Sequence, residues 1–317
     1  MRRVVNAARW LAIAVLAAGV LGAGAPPKRA VDPGAAPQWV TPAVDAPRVQ
    51  QRTIASKAAG TKVSYFVYTP PAYDTEKSRR FPVLYWLHGT GGGLRGVGPI
   101  SNVFDSAIRR GQIPPLLVVF PNGLQTSLWV DSKDGRTPVE TIVVREVIPD
   151  VDAAFRTIAT REGRIVEGFS MGGYGAARLG FKYPDRFATV STLAGGPLQR
   201  EFRETPRAGP QERDFILNTV YGGDHAHFTA QSPWMLAERN APALKASRIR
   251  VVVGDQDTLL ANTRAFDRGL TQLGIRHEFH VVPGADHQPM ALLRGLGDDF
   301  WRFHREALGS AAPAGRR

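Results

Sequence analysis

The chain has 317 residues, of which 43% are hydrophobic, so it can bury one large core in one or two domains. Lysine and arginine number 40 against 28 acidic residues, a net charge of +12, but no basic stripe is interleaved with aromatic residues, which argues against nucleic-acid binding and predicts adhesion to acidic surfaces. Cysteine is absent, which excludes disulfides, thiol nucleophiles, thiolate metal sites and a lipidated cysteine.

The N-terminal segment has the order of a secretory leader. Three arginines and no acidic residue occur in the first ten positions, an apolar run follows at 10–21, and small residues occupy 22–25. The apolar run is short for a membrane span, although an uncleaved anchor is the alternative. We therefore predict a signal peptide at 1–25 and a secreted or periplasmic protein, with no stable membrane insertion after the leader is removed.

The rest of the chain divides into a linker, a folded domain and a tail. Residues 26–47 contain six prolines among alanines and predict an extended, poorly ordered linker. One folded domain is expected at 48–308. The last segment, 309–317, is expected to be a disordered tail.

Strand and helix patterns alternate through the folded domain. Strands are predicted at 62–69, 81–87, 116–120, 164–167, 187–193, 250–253 and 278–282. Helices are predicted at 102–110, 141–158, 174–179, 260–273 and 289–307, with Pro149 kinking or dividing the second. This alternation predicts an α/β fold with a mostly parallel, doubly wound sheet flanked by helices. In such sheets, functional residues gather at the carboxyl ends of the strands.

A glycine–serine segment, Gly168–Gly173, separates the strand at 164–167 from the helix that follows. A serine at this junction must turn sharply, so we expect a strained backbone at Ser170. Gly168 and Gly172 lack Cβ atoms and allow strand and helix to approach closely. The segment predicts a nucleophilic serine beside a helix N-terminus. The alternative is a Gly/Ser turn that only caps a helix.

Acidic residues and a histidine follow the last two strands. Asp255 and Asp257 come after 250–253, and His287 comes after 278–282. The order serine, acid, histidine is that of α/β hydrolases, in which the histidine takes the serine proton and the acid orients the imidazole. We favour Asp257 as the acid, because the loop must bend back to reach the imidazole. Asp255 is expected to cap a helix or hold the loop together, and the alternative for His287 is a loop histidine bonded to backbone.

A second glycine-rich loop, His88–Gly93, follows the strand at 81–87. Its glycines can present backbone N–H groups with little steric hindrance, so we expect an oxyanion hole formed by the backbones of Thr90 and Met171. The rival interpretation is a phosphate-binding loop, but Gly-Lys-Ser/Thr is missing and no dinucleotide pattern fits. His88 is expected to brace the loop through hydrogen bonds.

Motifs across the domain carry a resemblance to a known family. They are Tyr68–Asp74, Phe81–Gly89, Pro114–Gly123, Glu146–Pro149, Gly168–Gly173, Tyr183–Phe187, Tyr221–Asp224 and Ser232–Pro233. From about residue 48 to 307 the chain resembles the esterase D family of α/β hydrolases, which includes feruloyl and acetylxylan esterases, S-formylglutathione hydrolases, enterochelin esterases and mycolyltransferases. The resemblance implies that Asp257 is the acid and His287 the base. Thr90 departs from the family, in which a bulkier residue is common at this position.

Three further features each have two interpretations. Trp129 follows a strand end and either lines the acyl pocket as a substrate-binding residue or packs in the interior. The arginine-rich loop at 196–214 is either a lid or a solvated connection. His225 and His227 lie beside Asp224 and could suggest a metal, but the resemblance places them in an ordinary connecting loop, and we predict no metal.

The sequence therefore predicts an exported serine carboxylesterase that works through an acyl-enzyme intermediate and needs no cofactor. Its expected partner is a small-molecule or polysaccharide-linked ester, such as a feruloyl or acetyl ester, and no nucleic acid is expected. The alternatives are an acyltransferase of the mycolyltransferase type, in which a hydroxyl replaces water, and a non-catalytic binding protein on the same fold.

Overall fold

The computed structural model describes residues 36–203 and 209–310. The predicted signal peptide at 1–25, most of the first half of the predicted linker, five residues of the loop at 196–214 and the end of the predicted tail lie outside the described residues. Within those residues, no helix combines the length and the apolar character needed to cross a lipid bilayer.

In the described residues, eight strands form one sheet with the order β1-β2-β4-β3-β5-β6-β7-β8. The strands are β1 (Val49–Ser56), β2 (Thr61–Tyr68), β3 (Val83–Leu87), β4 (Leu117–Phe120), β5 (Arg164–Phe169), β6 (Thr189–Leu193), β7 (Arg248–Gly254) and β8 (Glu278–Val282). From β4 to β8 all neighbours are parallel, whereas β2 pairs antiparallel with both β1 and β4. The predicted α/β fold with a mostly parallel sheet is confirmed.

Helices cover both faces of this sheet. They are α1 (Ala72–Thr75), α2 (Leu94–Arg109), α3 (Val139–Thr141), α4 (Ile148–Ala154), α5 (Met171–Lys182), α6 (Pro210–Tyr221), α7 (His225–Gln231), α8 (Pro233–Leu244), α9 (Leu260–Gln272), α10 (Pro289–Leu296) and α11 (Asp298–Ser310). A π-helix at Ile142–Val147 joins α3 to α4, and a short 3₁₀ turn at Arg161–Gly163 precedes β5.

Strand β3 shows why the central strands are apolar throughout. Every one of its residues is buried. Alternate side chains enter two different cores: Tyr85 and Leu87 pack with α5 and its neighbours, whereas Leu84 and Trp86 pack with α2, α10 and α11. A strand buried on both faces needs apolar residues at every position, which is the pattern that predicted it.

Several elements differ from the sequence prediction. The strand β1 was not predicted, because its sequence VQQRTIAS is polar and it lies at the edge of the sheet, where most of its residues stay partly exposed. The predicted helix at 141–158 is divided and ends at Ala154, with Pro149 in the first turn of α4. The predicted helix at 289–307 breaks at Gly297, whose φ of 54° lies in the left-handed region that favours glycine.

The described ends of the domain are packed more closely than the sequence suggested. Residues 36–47, the second half of the predicted linker, have no regular helix or strand, yet Trp39 is only 7% exposed and belongs to the main core. Its carbonyl oxygen accepts a hydrogen bond from the Ser64 N–H at 2.9 Å. At the other end, α11 continues to Ser310, two residues into the predicted tail.

Candidate active site

Ser170 lies at a sharp turn between β5 and α5. Its φ of 59° and ψ of −122° fall in a region that residues with a side chain rarely adopt, which confirms the expected strain. A Cβ atom on Gly168 would lie 2.2 Å from the Gly172 carbonyl oxygen, and one on Gly172 would lie 1.9 Å from the Leu87 carbonyl oxygen. Only glycine allows this close approach of strand, helix and neighbouring strand.

His287 connects this serine to an acid. Its Nε2 lies 2.8 Å from the Ser170 Oγ, and its Nδ1 lies 2.7 Å from the Asp257 Oδ2. A carboxylate can only accept, so Nδ1 carries the proton and donates to Asp257, which leaves Nε2 to accept from the Ser170 hydroxyl. Only 9% of the His287 side chain is exposed. The structure thus brings together three side chains from three different strand ends.

The two candidate acids have different surroundings. The side chain of Asp257 is fully buried, and its second oxygen, Oδ1, accepts the Leu259 N–H at 3.0 Å. Asp255 is exposed, and its Oδ1 accepts the Gly284 N–H at 2.7 Å. Asp257 therefore contacts the imidazole, whereas Asp255 holds the loop that carries His287, as the sequence alternative for Asp255 proposed.

The loops after β7 and β8 are joined along their length by backbone contacts. The Asp255 N–H donates to the Val282 carbonyl oxygen at 3.0 Å, and the Gln256 N–H donates to the Ala285 carbonyl oxygen at 3.0 Å. A Cβ atom on Gly254 would lie 2.0 Å from that same Ala285 oxygen. Acid and histidine are consequently presented by one cross-linked pair of loops.

The predicted oxyanion donors lie on the two segments that flank Ser170. Met171 is the first residue of α5, so its N–H is one of the helix N–H groups without an intrahelical acceptor. On the other side, a Cβ atom on Gly89 would lie only 3.2 Å from the Ser170 Cβ, which places the His88–Gly93 loop directly beside the serine. Thr90 follows in this loop and is exposed. The donor roles of Thr90 and Met171 stay predictions.

His88 braces this loop as expected. Its Nε2 accepts the Gly123 N–H at 3.1 Å, so its Nδ1 carries the proton and donates to the Gly89 carbonyl oxygen at 2.8 Å. Burial lowers the pKa of His88 to about 4, partly offset by the bond to Gly89. The ring is therefore neutral near pH 7, and its tautomer is fixed by its neighbours.

Trp129 does not line the site, and its assignment as a substrate-binding residue is wrong. The side chain is fully buried. Its indole N–H donates to the His88 carbonyl oxygen at 3.2 Å, and a Cβ atom on Gly175 would lie 2.4 Å from the ring. A buried indole needs an acceptor for its N–H, and the strand-end carbonyl of His88 supplies it. The packing interpretation is therefore correct.

The segment around Asp224 and the loop at 196–214 both make hydrogen bonds with neighbouring elements. Asp224 caps α7 by accepting the His227 N–H at 3.0 Å and pairs with Lys133 at 2.7 Å. In residues 36–203 and 209–310, no group of three or more histidine and acidic side chains could hold a metal ion. The described start of the loop at 196–214 contacts the site, because the Gly196 N–H donates to the Ser170 carbonyl oxygen at 3.2 Å.

Two side-chain contacts were not predicted, and the first of them is in the site. The ring of Phe169 lies 4.7 Å from that of His287, centroid to centroid, and forms part of its surroundings. The position directly before a nucleophilic serine was the available signal for it. The amides of Gln199 and Asn262 are 3.3 Å apart and join the loop after β6 to α9. No local pattern links these two residues, which are 63 positions apart.

Comparisons with known proteins agree with the fold and identify the family. The chain matches the family model described as "Esterase: Putative esterase" over residues 56–301. It is 31% identical over 289 residues to an esterase of Mycobacterium tuberculosis strain H37Rv, covering 84% of this chain and 62% of the relative. It is also 31% identical over 168 residues to an endo-1,4-beta-xylanase/feruloyl esterase of Xylanibacter ruminicola, covering 50% of this chain and 23% of the relative.

Solved structures show the same architecture. A ferulic acid esterase superimposes with a TM-score of 0.67 at 24% identity, covering 81% of this chain and 97% of that structure. An S-formylglutathione hydrolase from Agrobacterium tumefaciens superimposes with a TM-score of 0.65 at 20% identity, covering 82% and 95%. The chain spans 62% of the length of the mycobacterial relative. This protein belongs to the esterase family and has the α/β-hydrolase fold.

Proposed function

We propose that this protein is an exported serine carboxylesterase that works through an acyl-enzyme intermediate. One observation carries the proposal: the His287 imidazole connects the Ser170 hydroxyl, at 2.8 Å, to the buried Asp257 carboxylate, at 2.7 Å. A serine hydroxyl is a weak nucleophile by itself, and a neighbouring base that can remove its proton makes it reactive.

Acylation begins when the Ser170 Oγ forms a bond to the ester carbonyl carbon. The hydroxyl proton moves to the His287 Nε2, and the Asp257 carboxylate stabilises the resulting imidazolium. Negative charge develops on the carbonyl oxygen and is met by the N–H groups of Thr90 and Met171. Loss of one such donor typically costs about 3–4 kcal/mol of transition-state stabilisation. The intermediate collapses when the carbon–oxygen bond of the ester breaks and His287 gives its proton to the departing alcohol.

Deacylation repeats these steps with water. The His287 Nε2 takes a proton from water as the oxygen attacks the acyl carbon. The bond between the carbonyl carbon and the Ser170 Oγ then breaks, and the serine recovers a proton from the imidazolium. The free acid leaves, and the side chains return to their initial protonation states. Ser170, His287 and water account for every bond and proton in the cycle.

Two observations support the location and the substrate class. The order of arginines, apolar run and small residues at 1–25 is that of an export signal. One similar protein carries feruloyl esterase in its name, and a similar solved structure is a ferulic acid esterase. An exported esterase meets acyl groups attached to polysaccharides, and we therefore propose feruloyl or acetyl esters of that kind as substrates.

A fluorophosphonate probe tests the proposal, because it reacts with an activated serine. Labelling of the purified full chain should map to Ser170, and Ser170→Ala should abolish labelling and turnover of a p-nitrophenyl ester with almost unchanged thermal unfolding. Ser101→Ala is the control, because the Ser101 Oγ donates to the Gly98 carbonyl oxygen of its own helix, α2. Full activity of Ser170→Ala, or a label on another residue, would rule out the mechanism.

The substrate class needs a separate measurement. Feruloyl, acetyl and longer acyl esters should be compared by kcat/KM, with and without an added acceptor alcohol. Release of free acid, fastest from feruloyl or acetyl esters, is the expected result. Accumulation of a new ester in the presence of the acceptor would identify an acyltransferase instead.

A further inference from the structure

The indole of Trp129 lies between the two segments that carry the proposed oxyanion donors. On one side it packs against α5, where a Cβ atom on Gly175 would lie 2.4 Å from its Cδ1. On the other side its N–H donates to the His88 carbonyl oxygen at 3.2 Å, and the two rings lie 4.9 Å apart. The indole is fully buried, so it contacts both segments without reaching the substrate.

The contacts of Trp129 and His88 fix two successive peptide groups. The indole N–H holds the carbonyl of the His88–Gly89 peptide. The His88 Nδ1–H holds the carbonyl of the next peptide, Gly89–Thr90, at 2.8 Å. A trans peptide is planar, and its N–H points opposite to its C=O. The direction of the Gly89 carbonyl therefore sets the direction of the Thr90 N–H.

Trp129 is itself attached to the helix that carries Ser170 and Met171. The guanidinium of Arg178, on α5, donates to the Trp129 carbonyl oxygen at 3.1 Å and is fully buried. The backbone N–H of Trp129 donates to the Ser127 Oγ at 3.0 Å. Glu140 pairs with Arg178 and holds the guanidinium in place. The loop is thus bonded to the indole of Trp129, and α5 is bonded to the backbone carbonyl of the same residue.

We propose that Trp129 is a positioning residue, which acts through His88 to orient the Thr90 N–H relative to the Met171 N–H. This inference rests on the proposed function, because it assumes an oxyanion at that point. Removal of the indole N–H leaves the His88 carbonyl without this donor. The two successive peptide groups of the loop are then no longer held in a fixed orientation. The loss should affect the stabilisation of the oxyanion rather than the binding of the ester.

The test compares an oxoester with its thionoester, in which sulfur replaces the carbonyl oxygen. Sulfur is a poor hydrogen-bond acceptor, so the thionoester gains little from oxyanion donors. Trp129→Phe should lower kcat for the oxoester about 30-fold, with KM changed less than about threefold. The thionoester rate should fall less than about threefold, so the ratio of the oxoester rate to the thionoester rate falls by at least about tenfold.

Trp234→Phe is the matched control. The Trp234 indole N–H also donates to a backbone carbonyl, that of Leu198, at 3.0 Å, and the side chain is only 8% exposed. It loses the same type of buried hydrogen bond without touching the His88–Gly93 loop. The oxoester-to-thionoester ratio of Trp234→Phe should match that of the unmodified protein, whatever its melting temperature.

Ser127→Ala provides a second variant if Trp129→Phe does not fold. It removes the acceptor of the backbone N–H of Trp129. The oxoester-to-thionoester ratio should fall by about threefold. An unchanged ratio in the folded variants, with turnover still dependent on Ser170, overturns the inference and leaves the proposed function intact. Turnover of the unmodified protein that does not depend on Ser170 overturns the proposed function first, and the inference with it.

Discussion

Among the histidines that contact a carboxylate, one lies at the carboxyl edge of the sheet and another in its interior. At the edge, His287 bridges Asp257 and the Ser170 hydroxyl. In the interior, the His304 Nε2 lies 2.6 Å from the Glu167 Oε2, and its Nδ1 lies 2.8 Å from the Phe300 carbonyl oxygen. The side chains of His304 and Glu167 are both fully buried.

The two imidazoles differ in their second hydrogen-bond partner, and this partner decides whether proton transfer is possible. A hydroxyl can give up its proton to His287, whereas a backbone carbonyl has no proton to give to His304. The interior group also includes Arg250, whose Nη2 lies 3.3 Å from the Glu167 Oε1 and whose pKa burial lowers to about 10. It joins α11 to the centre of the sheet. Similar residue pairs thus have a proposed catalytic role at one position and a structural role at the other.

The largest expected effect is the loss of turnover when His287 is removed. His287→Ala removes the base that accepts the Ser170 proton, and kcat should fall by about 10⁵-fold. The free energy of unfolding should fall by only about 1–3 kcal/mol, because the buried Asp257 carboxylate loses one donor but keeps the Leu259 N–H. Ester hydrolysis and urea unfolding measure the two quantities on the same preparation.

His304→Ala is the matched control and should give the opposite result. It leaves the buried Glu167 carboxylate with one partner fewer, so the free energy of unfolding should fall by about 3–5 kcal/mol. The kcat of the folded protein should stay within about threefold of the unmodified value. The comparison between the two histidines would fail if His304→Ala reduced turnover as strongly as His287→Ala.

The next effect separates the two acids beside His287. Asp257→Asn keeps the shape but cannot stabilise an imidazolium, so kcat should fall by about 10⁴-fold. Asp255→Asn retains an oxygen that can accept the Gly284 N–H, so its kcat should fall by less than about tenfold. Steady-state kinetics of both variants decide the assignment. Equal losses, or a larger loss for Asp255→Asn, would show that Asp257 is not the acid.

The smallest effect concerns a third histidine, His88, which has no carboxylate partner. Its pKa in the folded protein is about 4, below the ordinary 6.5, so the unfolded chain binds a proton that the folded protein does not between these values. The stability that this residue contributes is complete above pH 6.5. It is lost as the pH falls, by about 3 kcal/mol at pH 4.

Urea unfolding between pH 7 and pH 4 measures this loss. Titration of other groups also changes the stability, so His88→Gln serves as the reference. The unmodified protein should lose more stability than His88→Gln over this pH range, by up to about 3 kcal/mol. Parallel pH curves for the two proteins would show that His88 is protonated in the folded state without cost.

The sequence was sufficient to select the candidate site residues that directly follow core strands. Ser170, Asp257 and His287 each follow a core strand, and parallel strands bring their carboxyl ends to one edge. Local rules of this kind were sufficient for the strained turn and for most of the sheet. The sequence analysis also predicted that His88 braces its loop through hydrogen bonds.

Contacts between distant side chains that do not follow strand ends could not be predicted. Trp129 and His88 are 41 positions apart, and His304 and Glu167 are 137 apart, with no periodicity to connect them. Whether a tryptophan after a strand end turns inward or outward depends on the packing of a helix such as α5, which the sequence does not reveal. The polar edge strand β1 was missed for a related reason, since its pairing with β2 stabilises it more than its own composition does.

The cross-linked loops after β7 and β8 determine how the molecule can adapt to new esters. Because Asp255 and Gln256 are bonded to the loop that carries His287, we expect the proposed acid and base to shift together. Insertions in either loop would disturb both partners at once. Side-chain changes at Phe169, which lies against the imidazole, leave this frame intact. In evolution or engineering, the range of acyl groups should therefore diversify through side chains on a constant backbone.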